Sequence, residues 1–269
     1  MGSRWRLPAS RNPGKKYSVY TDKRDSTPLP VSQSTRKATY ARAGETLRFR
    51  AIASDYDGTL ALDGRVGRDT LAGLKRARKS GRKLILVTGR ELPSLRSVFS
   101  SLDLFDWIVA ENGALIHNPG TGEERLLCPA VSGELVADLS MQGVPLSVGK
   151  CIVATVKPHD VAVLRAIREL NLKVQVIFNK ESVMVLPRGT NKSTGLSAVL
   201  SELAISSESV VGIGDAENDH DLLSLCGCSV AVANAIPALK QRADVVTGGS
   251  YGAGVLEVIQ RLIDKDSVC

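Results

Sequence analysis

The chain has 269 residues, 43% of them hydrophobic and 23% charged, which is enough for a sizeable buried core and the balance of an ordinary soluble globular protein. No apolar run approaches the roughly 20 residues that a membrane helix needs, which argues against an integral membrane pump. The formal net charge of +7 is uneven, because residues 1–50 hold twelve Lys or Arg against three Asp or Glu, whereas the remainder hold 23 against 25.

Residues 1–47 read as a basic extension rich in Ser, Thr, Pro and Arg, without a periodic apolar face, and are expected to be disordered. A flexible tail is the favoured reading. A transit peptide would carry an amphipathic helix, and a nucleic-acid tether would rest on phosphate attraction alone. No nucleic-acid partner is expected for the body of the chain.

The body begins with an apolar strand over 49–55 that runs into Ser54-Asp55-Tyr56-Asp57-Gly58-Thr59-Leu60. Strand periodicity puts residues two apart on one side, so Asp55 and Asp57 can face a single ligand. Two carboxylates that close repel unless a cation or a shared proton lies between them. A hard cation such as Mg²⁺, taken by carboxylate and carbonyl oxygens, fits this pattern. A helix over 68–80 follows, then a buried strand over 83–88 ending in Thr88-Gly89-Arg90. Thr88 offers a hydroxyl there and Gly89 a closely approachable backbone N–H, at the start of a helix over 92–101 whose N-terminus favours an anion.

A further strand over 106–110 leads to Glu111-Asn112-Gly113-Ala114, and Asn112–Leu127 is predicted to leave the core as a hairpin turning at Asn118–Gly122. Residues 129–187 then alternate helix (131–142), strand (150–156), helix (159–170) and two strands (173–178 and 181–186) joined across Asn179-Lys180. Lys150 and Lys180 in this segment are candidates for recognising a carboxylate or second phosphate, with solvated surface charges as the alternative. Lys192 falls near the start of a helix over 193–204, beside the unfavourable positive end of its dipole. The strand over 209–214 ends in Gly214-Asp215, and Asp215, Asn218 and Asp219 crowd the start of a helix over 217–226. Asp215 lies at the carboxyl end of its strand, where open α/β sheets place ligands. Strands over 228–232 and 244–246 and helices over 235–241 and 252–264 complete the chain.

Taken together, the segments around Asp55, Thr88, Lys192 and Asp215 resemble, in order and spacing, the four motifs of the haloacid dehalogenase superfamily of phosphohydrolases. The segment inserted between the second and third motifs, and the Gly-Asp-x-x-Asn-Asp form of the fourth, are similar to its sugar-phosphatase-like branch. That branch includes sucrose-phosphate, mannosyl-phosphoglycerate and phosphoglycolate phosphatases. The resemblance implies Asp55 as nucleophile, Asp57 as general acid–base, and Thr88 and Lys192 as ligands of the phosphoryl oxygens. It also implies Mg²⁺ on Asp55, the backbone carbonyl of Asp57, and Asp215, with Asp219 and Asn218 in support. Gly89, Arg90, Asn112 and Asn218 are the expected substrate-binding positions.

The expected fold is therefore α/β, a doubly wound parallel sheet over 48–128 and 188–269 with a small α/β cap over 129–187. The expected function is Mg²⁺-dependent hydrolysis of a small phosphorylated metabolite through an aspartyl-phosphate. A phosphoryl-transfer mutase and a non-catalytic Mg²⁺-binding module are the alternatives. Five cysteines without paired spacing argue against a disulfide framework and a zinc site, so a reducing cytoplasmic setting is expected. Oligomeric state is not readable from these features.

Overall fold

The computed structural model describes residues 47–269, so the basic extension lies outside the described residues. The strands, in chain order, are β1 (Ala51–Asp55), β2 (Lys83–Val87), β3 (Trp107–Ala110), β4 (Leu115–His117), β5 (Glu124–Leu126), β6 (Ser147–Val148), β7 (Val153–Val156), β8 (Val174–Asn179), β9 (Ser182–Pro187), β10 (Val210–Gly214), β11 (Cys228–Ala231) and β12 (Val245–Val246). The helices are α1 (Arg68–Lys79), α2 (Leu92–Val98), α3 (Gly133–Met141), α4 (Asp160–Glu169), α5 (Lys192–Leu203), α6 (His220–Leu225), α7 (Pro237–Lys240) and α8 (Gly252–Lys265).

The main sheet has the order β12-β11-β10-β1-β2-β3-β4-β5, and a second sheet has the order β6-β7-β9-β8. From β12 to β3 all pairings in the main sheet are parallel, while β4 and β5 add antiparallel to one edge. The sheet is thus mixed rather than wholly parallel, because the 112–127 hairpin pairs with β3 instead of standing clear of it.

The central strands are apolar on both faces because helices cover both. Side-chain alternation divides them: Ile52, Leu84 and Leu86 join a core with Val255, Val258 and Ile259 of α8. Ala51, Ala53, Ile85 and Val87 join a core with Leu196 and Val199 of α5. The chain runs from β1 outward through β2 and β3, then returns on the opposite flank as β10. The strand order therefore reverses between β1 and β10, and the crevice at their carboxyl ends is where such sheets bind ligands. Parallel register sets Ser54 beside Ile213 and Asp55 beside Val87, so Asp55, Thr88 and Asp215 emerge along one rim.

The inserted segment packs α3 and α4 on its own sheet around Leu135, Leu139, Val153, Val163 and Val185. Several predicted boundaries shift, each for a physical reason. The helix expected to reach 101 stops at Val98, because Phe99 adopts an extended backbone and its ring packs 5.6 Å from Tyr56 and 6.2 Å from Phe105. The strand expected from 150 begins at Val153, because the amides of Lys150, Cys151 and Ile152 turn to the Glu111 carboxylate. The helix expected from 217 opens as a 3-10 turn over Glu217–Asp219 before α6. One expectation is overturned: Cys228 at the start of β11 is disulfide-bonded to Cys269, which chain folding brings to a Cα separation of 6.0 Å across 41 residues of sequence. Among the described residues, no helix is long and apolar enough to cross a membrane.

Candidate active site

Asp55 is the last residue of β1 and is buried. Lys192, the first residue of α5, is 1% exposed, and its Nζ donates to Asp55 Oδ1 and Asp219 Oδ1, both at 2.6 Å. The Asn191 side chain caps α5 by accepting from the Thr194 amide, which fixes the turn that aims Lys192 inward. Burial opposes the Lys192 charge, but Asp219 and Asp55 outweigh it and hold the ammonium above its ordinary value. Burial also pushes the Asp55 carboxyl well up, and Asp219 and Asp215 add to this against the pull of Lys192.

Asp215 follows β10, and its Oδ1 accepts from the Thr59 hydroxyl at 3.0 Å while its Oδ2 accepts from Lys180 Nζ at 2.8 Å. Burial raises the Asp215 carboxyl despite Lys180, whose own charge is sustained by Asp215 against its partial burial. Gly58, at φ +92°, lies against Asp215 so closely that a Cβ there would strike the carboxylate. Asp219 spends its Oδ2 on the backbone amides of Asp215 and Ala216, at 2.9 and 3.0 Å, and so holds the loop that carries Asp215.

One ligand atom from each of Asp55, Asp215 and Asp219 lies within 4.8 Å of the others. All three residues are buried. Hard oxygen donors in excess of the local positive charge are a donor set for a divalent cation.

Asp57 takes a different direction from Asp55. It lies beyond the end of β1, and its carboxylate accepts two hydrogen bonds from Arg90, 2.6 Å from Nε and 2.8 Å from Nη2. Its side chain is 43% exposed and does not join the cluster of Asp55, Asp215 and Asp219. The carboxylates of Asp55 and Asp57 are therefore not paired around one ion. Arg90, expected on the substrate side, is the partner of Asp57 and lies over the Tyr56 ring at 5.7 Å.

Thr88 is buried directly after β2, and its Oγ1 accepts from the Arg90 amide at 3.1 Å. Asn112 and Asn218 meet at 2.9 Å, Asn218 Nδ2 donating to Asn112 Oδ1. Among the described residues, that leaves the buried Asn112 Nδ2 and Asn218 Oδ1 without a partner. Both asparagines lie close to Gly89, and Met184 of β9 stands over the same glycine. Asp55, Lys192, Asp215 and Asp219 thus form one bonded cluster, Asn112 and Asn218 gather at Gly89, and Thr88 follows the strand that pairs with Asp55.

Sequence reasoning missed three contributors. Glu111 is 2% exposed and accepts from the amides of Lys150, Cys151 and Ile152 at 3.0, 2.7 and 3.1 Å, which fastens the inserted segment to the rim of the main sheet. Thr59 steadies Asp215, and Asn234 Nδ2 donates to the Gly58 carbonyl at 2.7 Å. All three bond across large sequence distances, so no local pattern announces them. Of the two lysines left open in the inserted segment, Lys180 reaches the site, whereas Lys150 pairs with Glu124 on the surface.

The chain matches the family described as haloacid dehalogenase-like hydrolase over residues 52–147 and 146–259. It is 30% identical over 223 residues to a phosphoglycolate phosphatase of Methanothermobacter thermautotrophicus, covering 80% of this chain and 99% of that protein. It is 31% identical over 219 residues to phosphoglycolate phosphatase 2 of Saccharolobus solfataricus, covering 79% and 91%. In fold it is similar to the crystal structure of a haloacid dehalogenase-like hydrolase from Bacteroides thetaiotaomicron, with TM-score 0.69, 20% identity and coverage of 80% and 99%. A Bacillus subtilis haloacid dehalogenase-like hydrolase gives TM-score 0.63 at 18% identity, covering 80% and 100%. With the acid cluster, the buried lysine and the rim geometry already in place, these matches make the chain a member of the haloacid dehalogenase-like hydrolases.

Proposed function

We propose that this chain hydrolyses the phosphate monoester of a small metabolite, with residues 48–128 and 188–269 as the catalytic core and 129–187 as its cap. The observation that carries the reading is the buried Asp55, held by Lys192 at 2.6 Å at the strand-order reversal of the sheet. Asp55 attacks phosphorus, and the bond from phosphorus to the leaving oxygen breaks. Asp57, as the carboxylic acid, gives its proton to that oxygen. Water then attacks the aspartyl-phosphate, Asp57 takes a proton from it, and the bond from phosphorus to the Asp55 oxygen breaks. Covalent catalysis of this kind replaces one difficult displacement with two easier ones.

Lys192, the Thr88 hydroxyl and the Gly89 amide neutralise and orient the phosphoryl oxygens. Asn112 Nδ2, buried without a protein partner, is a further donor for the substrate, and Asn218 orients it. Arg90 aims Asp57 through its two hydrogen bonds. Asp55, Asp215 and the Asp57 backbone carbonyl would hold Mg²⁺, with Asp219 behind them. When bound, that ion supplies the charge that lets a carboxylate approach a phosphate dianion. Relatives named phosphoglycolate phosphatase make 2-phosphoglycolate the first substrate to try.

The test is phosphate release from 2-phosphoglycolate, several sugar phosphates and an aryl phosphate, with Mg²⁺ and with a chelator. Turnover that requires Mg²⁺ and disappears in Asp55→Asn is expected. Activity that survives Asp55→Asn would sink the nucleophile assignment, and no release from any substrate by folded protein would sink the phosphatase reading.

A further inference from the structure

We propose that Lys180 is the specificity residue of the inserted segment, binding a carboxylate carried on the leaving group; this rests on the phosphatase reading above. Lys180 sits at the tip of the β8–β9 hairpin, between the paired residues Asn179 and Ser182. Its Nζ reaches across to Asp215 Oδ2 at 2.8 Å. Its backbone is at φ +53°, in the left-handed region that favours glycine or asparagine in a tight turn. On its other side the turn is joined to the end of β7, where the Lys157 amide donates to the Glu181 carbonyl. A strained residue whose side chain enters a site is a reason to look for function there.

The other cations at the site are committed. Lys192 is buried between Asp55 and Asp219, and Arg90 holds both oxygens of Asp57. Lys180 differs in two respects. Its side chain is 53% exposed, so the four-carbon stem is free to swing. Its partner Asp215 also accepts from Thr59 and belongs to the proposed cation site, so a divalent cation there competes with the ammonium for one oxygen. Once displaced from Asp215, the ammonium offers its three donors to an anion beside the phosphate. Met184 of β9, buried beside Gly89, contributes no competing charge. The chemistry therefore selects a short phosphate monoester with a carboxylate at its far end.

The test reads binding apart from turnover. In an Asp55→Asn background with millimolar Mg²⁺, calorimetry compares 2-phosphoglycolate with propyl phosphate, which has similar length but lacks the carboxylate. A charge-assisted hydrogen bond is worth about ten-fold or more in affinity, so a preference of about ten-fold for phosphoglycolate is expected. Adding Lys180→Met should reduce that preference to about one, chiefly by weakening phosphoglycolate. Lys180→Arg should restore part of it, which a purely structural role would not do. A preference that persists in Lys180→Met, or none in the background protein, overturns the proposal. Release of phosphate by protein with Asp55 intact is measured in parallel and bears only on the phosphatase reading, so the two can fail separately.

Discussion

Removing the Glu111 carboxylate should show how firmly the inserted segment is fastened to the main sheet. In Glu111→Ala the amides of Lys150, Cys151 and Ile152 lose their acceptor. Lys150 is exposed, so its amide can turn to water, but Cys151 and Ile152 are 0% and 1% exposed. Each buried N–H left unpaired costs about 1–3 kcal/mol. Two of them, less the relief from desolvating a buried carboxylate, give an expected loss of about 3–4 kcal/mol. Glu111→Gln keeps an acceptor oxygen for the two buried amides and sacrifices only the exposed one, so it should cost about 1 kcal/mol. Urea unfolding with the slope checked for constancy measures both, and hydrogen exchange at Cys151 and Ile152 locates the effect. The reasoning is wrong if Glu111→Ala stays within about 1 kcal/mol of the parent, or if Gln costs as much as Ala.

Lys192→Met should lower kcat by at least about 10²-fold. It also leaves Asp55 and Asp219 without their buried counter-charge, so Mg²⁺ should raise its Tm more than the parent's; an equal shift argues against Lys192 balancing those acids. Gly113→Ala should lower Tm by about 10 °C or prevent folding, because a Cβ at φ +105° would meet the rigid Asn191 carbonyl just before Lys192. An unaltered Tm would show that this backbone yields. Arg90→Lys keeps the charge but loses the two-point hold on Asp57, so kcat should fall about ten-fold with a smaller change in KM; a pure KM effect would return Arg90 to substrate binding. Burial pushes the Cys151 and Cys226 thiols up to about 12, with Cys128 adding at Cys151. Raised values preserve the neutral thiol, so iodoacetamide at pH 8 should barely label either residue, and the rate should climb about ten-fold per pH unit up to that value. Rapid labelling of folded protein at pH 8 would contradict their environment.

The sequence determined those parts of the protein that depend on short-range pattern. Apolar runs ending in Asp55, Thr88 and Asp215 marked strands buried on both faces, and their shared carboxyl ends form the rim that carries the proposed site. Asp55, Lys192 and Asp215 were legible because a charge at the end of an apolar strand or the start of a helix contradicts its local surroundings. The helices and strands of 129–187, apart from the two-residue β6, were legible because periodicities of 3.6 and 2 need only neighbours along the chain.

Tertiary structure decided whatever depends on partners far apart in sequence. Period-2 reasoning put Asp55 and Asp57 on one side, but the strand ends between them, and the bidentate bond from Arg90 holds Asp57 away from the acid cluster. Spacing gave no sign that Cys228 and Cys269 would meet, since their approach depends on where the last helix returns the chain. Nothing local to Glu111 signals that its carboxylate fastens a segment some forty residues away. Lys150 and Lys180 were equivalent as letters. Only the strained hairpin tip separates them, because a side chain's direction is set by the backbone that carries it and not by its chemistry.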